Sequence, residues 1–261
     1  MLIFFLVALG ASAVGAICGI GGGVVIKPVL DLLHLETVST ISFLSGCTVL
    51  TMSCYSVGKS LLAGEKRVSL DVGTPLAVGA AAGGLLGSQL FALVRRMSDN
   101  PNRVGAVQAA CLAVITEGTL LYTMNKARIP TCRVRNRSAC AAIGLALGCM
   151  SSFLGIGGGP INLVVLYFFF SMDTKTAAAN SLYIIFFSQL CSLLTTLCTG
   201  SVPNFRWPVL ALMAAGGLGG GVLGRRLNRR LRDEDVERLF VALMAVIICI
   251  SLFNAWRYLT C

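Results

Sequence analysis

The sequence is poor in charge, in histidine and in catalytic motifs. Charged residues make up 12% of the 261 residues, against about a quarter in soluble proteins, which excludes an ordinary water-soluble domain. The one histidine, His34, lies beside Glu36 without metal-spaced partners, so neither a zinc site nor a Ser/His/Asp triad can be assembled. The segment from Gly19 to Lys27 lacks the Gly-Lys-Ser/Thr ending of a nucleotide loop. We therefore expect no metal and no cofactor.

The eleven cysteines form no CxxC pair and no Cys/His cluster, and most lie inside apolar stretches. We expect most of them to be inert, buried thiols. Cys18, beside the first glycine run, is the one candidate for a functional thiol. The net charge of +10 does not indicate nucleic acid as a partner, because the basic residues occupy short connections of the kind found in cytoplasmic membrane loops.

Hydrophobic sequence is abundant, at 56% of the chain. About 20 mostly apolar residues cross the hydrocarbon core of a bilayer. Eight apolar segments are present, at 2–34, 40–63, 72–94, 104–124, 138–172, 177–199, 207–224 and 239–259. This pattern predicts an all-α, polytopic protein whose solvent is the lipid bilayer. The first segment has no basic residues before it and recurs later in the chain, which argues against a cleaved signal peptide.

The chain contains an internal duplication. A shift of 136 residues places Gly19-Ile20-Gly21-Gly22-Gly23 on Gly155-Ile156-Gly157-Gly158-Gly159, and it also superposes Ser45 on Ser181. After a slip of three residues, the glycine-rich helix beginning near Pro75 matches the one near Pro208. The sequence therefore predicts a first membrane repeat at 1–125, a basic cytoplasmic linker at 126–137 and a second repeat at 138–261. Small-xxx-small spacings such as Gly83 to Gly87 favour close helix packing.

Basic residues in the loops indicate how the repeats are oriented. If each Gly-broken segment crosses the membrane, the two faces carry ten basic residues each. If each segment enters and leaves on one face, the loops at 59–71, 125–138, 172–176 and 224–238 share a face and carry fifteen, against five opposite. Only the second arrangement gives a cytoplasmic side by the positive-inside rule. We therefore favour inverted repeats with re-entrant hairpins; a discontinuous helix that still spans is the alternative.

Three consecutive glycines disfavour a helix, so each run predicts unwound backbone. Unwound backbone inside a membrane is tolerated where it is buried in protein or faces a watery cavity. Short helices starting near Val24 and Pro160 would aim free N–H groups at that cavity and favour an anion. The alternative is that the glycines only permit close packing. The predicted substrate-binding residues are Gly19, Ile20, Gly21, Gly22, Gly23, Lys27, Ser45, Gly155, Ile156, Gly157, Gly158, Gly159, Asn162, Asn180 and Ser181.

Several of these polar residues have a second interpretation. Lys27 is a candidate for direct anion binding, or it pairs with Asp31 one helical turn away, or its side chain extends to the interface. Ser45 and Ser181 either line the cavity or bond back to a helix carbonyl. Glu117, an isolated charge in an apolar helix, is the candidate for accepting a coupling proton, with pairing near the interface as the alternative.

The two halves together resemble the TauE/SafE family of sulfite exporters, also called toluenesulfonate uptake permeases. The second half carries the closer match, in Leu154 to Gly159, Ala178 to Leu182, Gly200 to Val202, Arg206-Trp207 and Leu223 to Leu227. The resemblance implies a cell-membrane carrier for a small sulfur-containing anion such as sulfite, sulfoacetate or another organosulfonate. A membrane sulfurtransferase using Cys18 and an anion channel remain the alternatives. No feature of the sequence specifies an oligomeric state.

Overall fold

A computed structural model describes residues 1–33, 35–63, 70–97, 101–156 and 158–260. Within these ranges the chain forms ten α-helices and one short 3-10 turn at Lys126–Arg128, and no strand. The helices are α1 (Leu2–Cys18), α2 (Gly23–Leu33), α3 (Val38–Leu62), α4 (Leu70–Met97), α5 (Pro101–Asn125), α6 (Arg137–Leu154), α7 (Pro160–Phe170), α8 (Thr174–Cys198), α9 (Trp207–Arg230) and α10 (Asp233–Thr260).

The predicted all-α membrane class is confirmed. Each of the eight apolar segments contains helix, and the two glycine-run segments are divided into the pairs α1–α2 and α6–α7. Among the described residues, seven helices are long and apolar enough to cross a membrane: α3, α4, α5, α6, α8, α9 and α10. The protein is therefore a multi-pass membrane protein.

The glycines end the first helix of each pair in the same way. Gly19, with φ 76°, follows α1, and Gly155, with φ 65°, follows α6. Both adopt the left-handed conformation that favours glycine. In each case the next amide, of Ile20 or Ile156, bonds to a carbonyl five residues back. After these residues the backbone is not helical until α2 begins at Gly23 and α7 begins at Pro160. Proline suits the first position of a helix because no backbone N–H is needed there.

The chain turns back on itself at the first break. A β-carbon on Gly15 would lie 2.6 Å from the Gly22 nitrogen, and one on Gly22 would lie 3.0 Å from the Ser12 α-carbon. In a continuous helix, residues ten apart would be about 15 Å from each other. The second pair also brings its ends together, because the amides of Cys132 and Val134, just before α6, donate to the carbonyls of Phe168 and Phe169 at the end of α7.

Side-chain contacts define two ends of the bundle. At one end, which we call the Glu36 face, Arg206 contacts Glu36 at 3.4 Å and the Thr40 hydroxyl donates to the Asn204 carbonyl. At the other end, the Lys126 face, Lys126 pairs with Glu237 and Lys175 donates to the Leu231 carbonyl at 2.6 Å. The two contacts at the Glu36 face join the first repeat to the second, whereas those at the Lys126 face join the linker to the second repeat and two helix ends within the second repeat.

Two rows of glycine hold the repeats together. Gly79, Gly83 and Gly87 of α4 face the backbone carbonyls of Ala141, Leu145 and Cys149 in α6. In α9, Gly216, Gly220 and Gly224 face the carbonyls of Phe5, Leu9 and Ala13 in α1. Both partners advance by four residues, so each pair of helices runs parallel and the backbones approach closely. The first helix of each repeat thus packs on the fourth, glycine-rich helix of the other.

Candidate functional site

The two glycine breaks contact each other. Gly23, at the start of α2, packs against the carbonyl of Ile156 in the second break. Gly155 packs on Ser42 of α3, and its repeat equivalent Gly19 packs on Ala178 of α8. Since Ser42 and Ala178 are themselves related by the 136-residue shift, the two contacts are equivalent.

Lys27 of α2 links the first repeat to the second break. Its side chain is only 4% exposed, and Nζ donates to Gln108 Oε1 at 2.5 Å and to the Leu154 carbonyl at 2.7 Å. Leu154 is the last residue of α6, where a cation is favoured by the negative end of the helix dipole. Gln108 in turn donates to the Phe153 carbonyl at 2.7 Å. Lys27 is therefore a buried cation at the second break, and its ammonium does not extend to a membrane surface.

A cavity of about 490 Å³, which we call the wide cavity, reaches the second break from the Glu36 face. Gly155 and Ser152 border it, together with residues from the start of α3 and the ends of α4 and α8. Its lining includes eight hydroxyl groups, on Ser39, Ser42, Ser88, Ser152, Ser192, Thr196, Thr199 and Ser201. The Ser42 and Ser152 hydroxyls have no hydrogen-bond partner. They are free to donate to a ligand.

The charge of the wide cavity is positive. Arg95 and Arg96, from the last turn of α4, line it, and Gln189 adds an amide. Among the described residues that line it, none is an aspartate or a glutamate. A β-carbon on Gly155 would lie 3.4 Å from the buried Lys27 ammonium, so a third cation lies close behind the cavity wall. This environment suits an anion.

A second, narrow cavity of about 50 Å³ lies toward the Lys126 face. Its eleven lining residues are Ala16, Ser56, Val57, Ser60, Lys175, Ala178, Ala179, Leu182, Arg225, Asn228 and Arg229. The internal repeat carries every one of them onto a residue that lines the wide cavity; Ala178, for example, matches Ser42, and Arg229 matches Arg96. The two cavities are thus repeat equivalents that differ about tenfold in volume.

The predicted site residues are only partly brought together. Of the predicted residues that the structure describes, Gly155 alone lines the wide cavity, whereas Gly23, Lys27, Ser45 and Ile156 lie at the contact between the breaks. The first turns of α2 and α7, which the sequence predicts to face a cavity, line neither the wide nor the narrow one. Ile20 and Gly22 are fully buried behind α1, and Gly21 has φ 73°. Gly158 packs on Ile185 and Gly159 on Ile156. Gly157 and His34 lie outside the described residues.

The remaining polar candidates are buried close to the breaks. Ser45 and Ser181 make no hydrogen bond, so neither hydroxyl bonds back to its helix, and Asn162 Oδ1 also has no partner. Asn180 donates to the Thr176 carbonyl at 2.8 Å. Ser45 Oγ lies 3.0 Å from the position of a β-carbon on Gly23, which places it against the first break.

Two further candidates lie elsewhere. Glu117 is exposed on α5 and lines none of the cavities described here. Cys18 is 1% exposed within an apolar cluster that includes Ile17 and Ile20, an environment that disfavours a reactive thiolate. The described residues contain no group of three or more His, Cys, Asp or Glu side chains that could hold a metal.

Sequence reasoning missed most of the cavity wall. Ser42, Ser152 and Gln189 each lie one or two helical turns from a predicted residue, and Arg95 and Arg96 are predicted only as loop charges. Gln108 is buried at 2% exposure; a lone amide in an apolar helix is the signal that would have indicated it.

Comparison with known proteins identifies the family. The family model described as Sulfite exporter TauE/SafE matches residues 4–252. The chain belongs to the TauE/SafE family. The match covers both repeats and both glycine breaks, so the resemblance read from the motifs is confirmed.

Curated relatives of this TauE/SafE protein carry transporter names. Probable membrane transporter protein YunE of Bacillus subtilis is 26% identical over 269 residues, covering 94% of this chain and 95% of YunE. Probable membrane transporter protein MamO of Magnetospirillum gryphiswaldense is 32% identical over 141 residues, 52% of this chain and 22% of MamO. No solved structure matches the chain. Family and relatives together indicate a membrane transporter with a small-molecule substrate.

Proposed function

We propose that the protein is a secondary transporter of a small sulfur-containing anion, such as sulfite, sulfoacetate or another organosulfonate. The anion binds at the midplane, between Gly155 and its repeat equivalent Gly19. The observation that carries this proposal is the wide cavity, which ends at Gly155 and whose described lining contains two arginines, eight hydroxyls and no carboxylate. Hydroxyl and guanidinium donors match the oxygen atoms of a sulfite or sulfonate group.

The two repeats are inverted with respect to the membrane in this proposal. The reversal of the chain between Ser12 and Gly22 supports a hairpin in the first repeat, and the hydrogen bonds from Cys132 and Val134 to the end of α7 support one in the second. The loop charges then orient the molecule: the Lys126 face, with fifteen basic residues in its loops, is cytoplasmic.

The pair of equivalent cavities supports alternating access. In an inverted repeat, a cavity open to one face implies an equivalent cavity that opens to the other when the halves exchange conformations. Arg96 and Arg229 occupy equivalent positions in the wide and narrow cavities, so each face would present an arginine to the same anion. The structure then corresponds to the state that is open toward the Glu36 face and closed toward the cytoplasm.

Three hydrogen bonds hold the narrow cavity closed. Arg225 donates to the Ser56 carbonyl at 3.0 Å, Asn228 to the Ile17 carbonyl at 2.6 Å and Lys175 to the Leu231 carbonyl at 2.6 Å. At the equivalent positions around the wide cavity the chain has Ala92, Arg95 and Ser39. Ala92, which matches Arg225, has no side-chain donor, and Ser39, which matches Lys175, has a side chain too short to reach an equivalent carbonyl. The hydrogen bonds of Arg225 and Lys175 therefore have no counterpart around the wide cavity.

Counterflow in proteoliposomes tests the transport proposal. Vesicles containing the purified chain and loaded with unlabelled sulfite or sulfoacetate should take up the labelled anion saturably. Arg96→Gln and Arg229→Gln should each raise the KM about tenfold or more, since a hydrogen bond to a charged group contributes about 1.5–3 kcal/mol. Arg226→Gln makes the same charge change on an exposed residue that lines neither cavity and should leave the KM unchanged.

Two results would reject the proposal. Absence of saturable counterflow for both anions would remove the substrate class, and uptake that rises linearly with concentration would indicate a channel. The enzyme alternative has its own test, because Cys18→Ala should leave counterflow intact in a transporter but abolish a sulfurtransferase activity.

A further inference from the structure

A buried polar cluster behind the second break takes no part in the cavities described so far. Asp31 is 6% exposed and one of its carboxylate oxygens, Oδ1, has no hydrogen-bond partner. Lys27 lies one turn before it on α2, and Tyr258 of α10 hydrogen-bonds the carboxylate. A small cavity of about 10 Å³, close to the minimum for one water molecule, is lined by Lys27, Asp31, Gln108, Ser251 and Asn254 among others. The Ser251 hydroxyl is also unpartnered.

The fold itself does not require charge at this place. The internal repeat carries Lys27 to Leu163 and Asp31 to Tyr167, and Leu163 and Tyr167 are both buried in the second hairpin. The same architecture is therefore built there without either charge. Burying opposite charges is commonly no better for stability than burying well-packed uncharged side chains, so the first repeat retains Lys27 and Asp31 for another reason.

We propose that Asp31 is the coupling-proton site of the transporter and that Lys27 transmits its charge state to the anion. This inference rests on the proposed anion site. With Asp31 ionised, its charge cancels that of Lys27 and the region behind Gly155 is neutral. When a proton binds Oδ1, the Lys27 ammonium is uncompensated directly behind Gly155 and attracts the anion. Proton and anion then bind together and cross in the same direction.

The groups around Asp31 are consistent with this assignment. From α10, Tyr258 donates to the carboxylate, and Arg257 donates to the Leu32 carbonyl at 3.0 Å. α1 carries no charged side chain, and α3 carries only Lys59 in its last turn. From α5, Gln108 is neutral and Arg103 and Glu117 are exposed. Lys27, one turn away on α2, interacts electrostatically with Asp31 and is placed to respond to its protonation.

The experiment imposes a pH gradient on the proteoliposomes, using whichever of sulfite and sulfoacetate gives counterflow. Wild-type protein should accumulate hydrogen sulfite, a monovalent anion, about tenfold per pH unit when one proton accompanies it; sulfoacetate, a dianion, should also accumulate, with the membrane potential clamped. Internal pyranine should report acidification. Asp31→Asn keeps Lys27 uncompensated, so counterflow should persist while gradient-driven accumulation and acidification are lost. Glu117→Gln, the matched control, should retain both.

A second variant tests the same inference in case Asp31→Asn does not fold. Lys27→Leu combined with Asp31→Tyr introduces the residues of the second hairpin and should likewise lose accumulation and acidification. Counterflow by the wild type without either response would overturn the coupling while leaving the anion transporter intact. Accumulation by Asp31→Asn at the wild-type level would overturn the role of Asp31. Absence of wild-type counterflow would reject the transport proposal, and this inference with it.

Discussion

At the scale of single residues, the glycines of the breaks serve two purposes. Gly19 and Gly155 adopt positive φ, which costs other residues about 1–2 kcal/mol. Gly15 and Gly22 instead permit close approach between backbone segments of the hairpin. The sequence left two explanations for the glycines, a ligand site or close packing. Gly155 is compatible with both, because it packs on Ser42 and also lines the wide cavity.

Gly155→Ala should destabilise the protein by about 1–2 kcal/mol from backbone strain and crowd the Ser42 hydroxyl, which lies 2.7 Å from the added β-carbon. Thermal unfolding in detergent, followed by tryptophan fluorescence, measures the change. Gly118→Ala is the control, because nothing lies within 4 Å of a β-carbon there and a helical alanine is favoured by up to about 1 kcal/mol. Equal melting temperatures for the two variants would contradict the strain argument.

At the scale of helices, glycine rows replace the hydrophobic contacts that join helices in water. Lipid is as apolar as leucine, so close backbone approach becomes the main source of attraction. The rows at Gly79, Gly83 and Gly87 and at Gly216, Gly220 and Gly224 each join one repeat to the other. The repeats are therefore interlocked, because the first helix of each packs mainly on the glycine-rich helix of the other.

Gly83→Val and Gly220→Val should each separate a pair of helices, because the added side chain meets the Leu145 or Leu9 carbonyl. Overpacking of this kind typically costs about 1–3 kcal/mol. The fraction of monodisperse protein in size-exclusion chromatography should fall for both. Gly58→Val of α3, where the space is open, should behave as wild type; a similar loss in that variant would contradict the packing account.

Hydropathy and the repeat predict the helices well, because a membrane span is a local property of about 20 residues. The 136-residue shift even relates the bounds of α3 to those of α8. Contacts between distant segments could not be predicted in this way. Lys27 reaches Gln108 across 81 residues and Leu154 across 127, and the sequence indicates only the Asp31 neighbour on the same helix. The residues of the cavity wall depend on which helix ends lie together in the fold. The hydropathy pattern of a single helix does not contain that information.

At the scale of the whole molecule, the proposed topology places three positions. Reporter fusions at Arg135 and Lys175 should both lie in the cytoplasm, and a fusion at Arg96 on the opposite side, because hairpins return the chain to the face it left. Position 175 is decisive, since eight simple spans would place it with Arg96. That result would contradict the inverted arrangement.

The central claim is that one anion site opens alternately through the wide and the narrow cavity. The equivalent positions Ser42 and Ala178 can each be replaced by cysteine in a background lacking native cysteines and labelled with an impermeant maleimide. We predict labelling of Ser42→Cys from the Glu36 face only and of Ala178→Cys from the cytoplasm only. Adding Asn228→Ala, which removes a bond that closes the narrow cavity, should raise labelling at Ala178→Cys and lower it at Ser42→Cys. A rise at both positions together, or labelling of both from one face, would contradict alternating access.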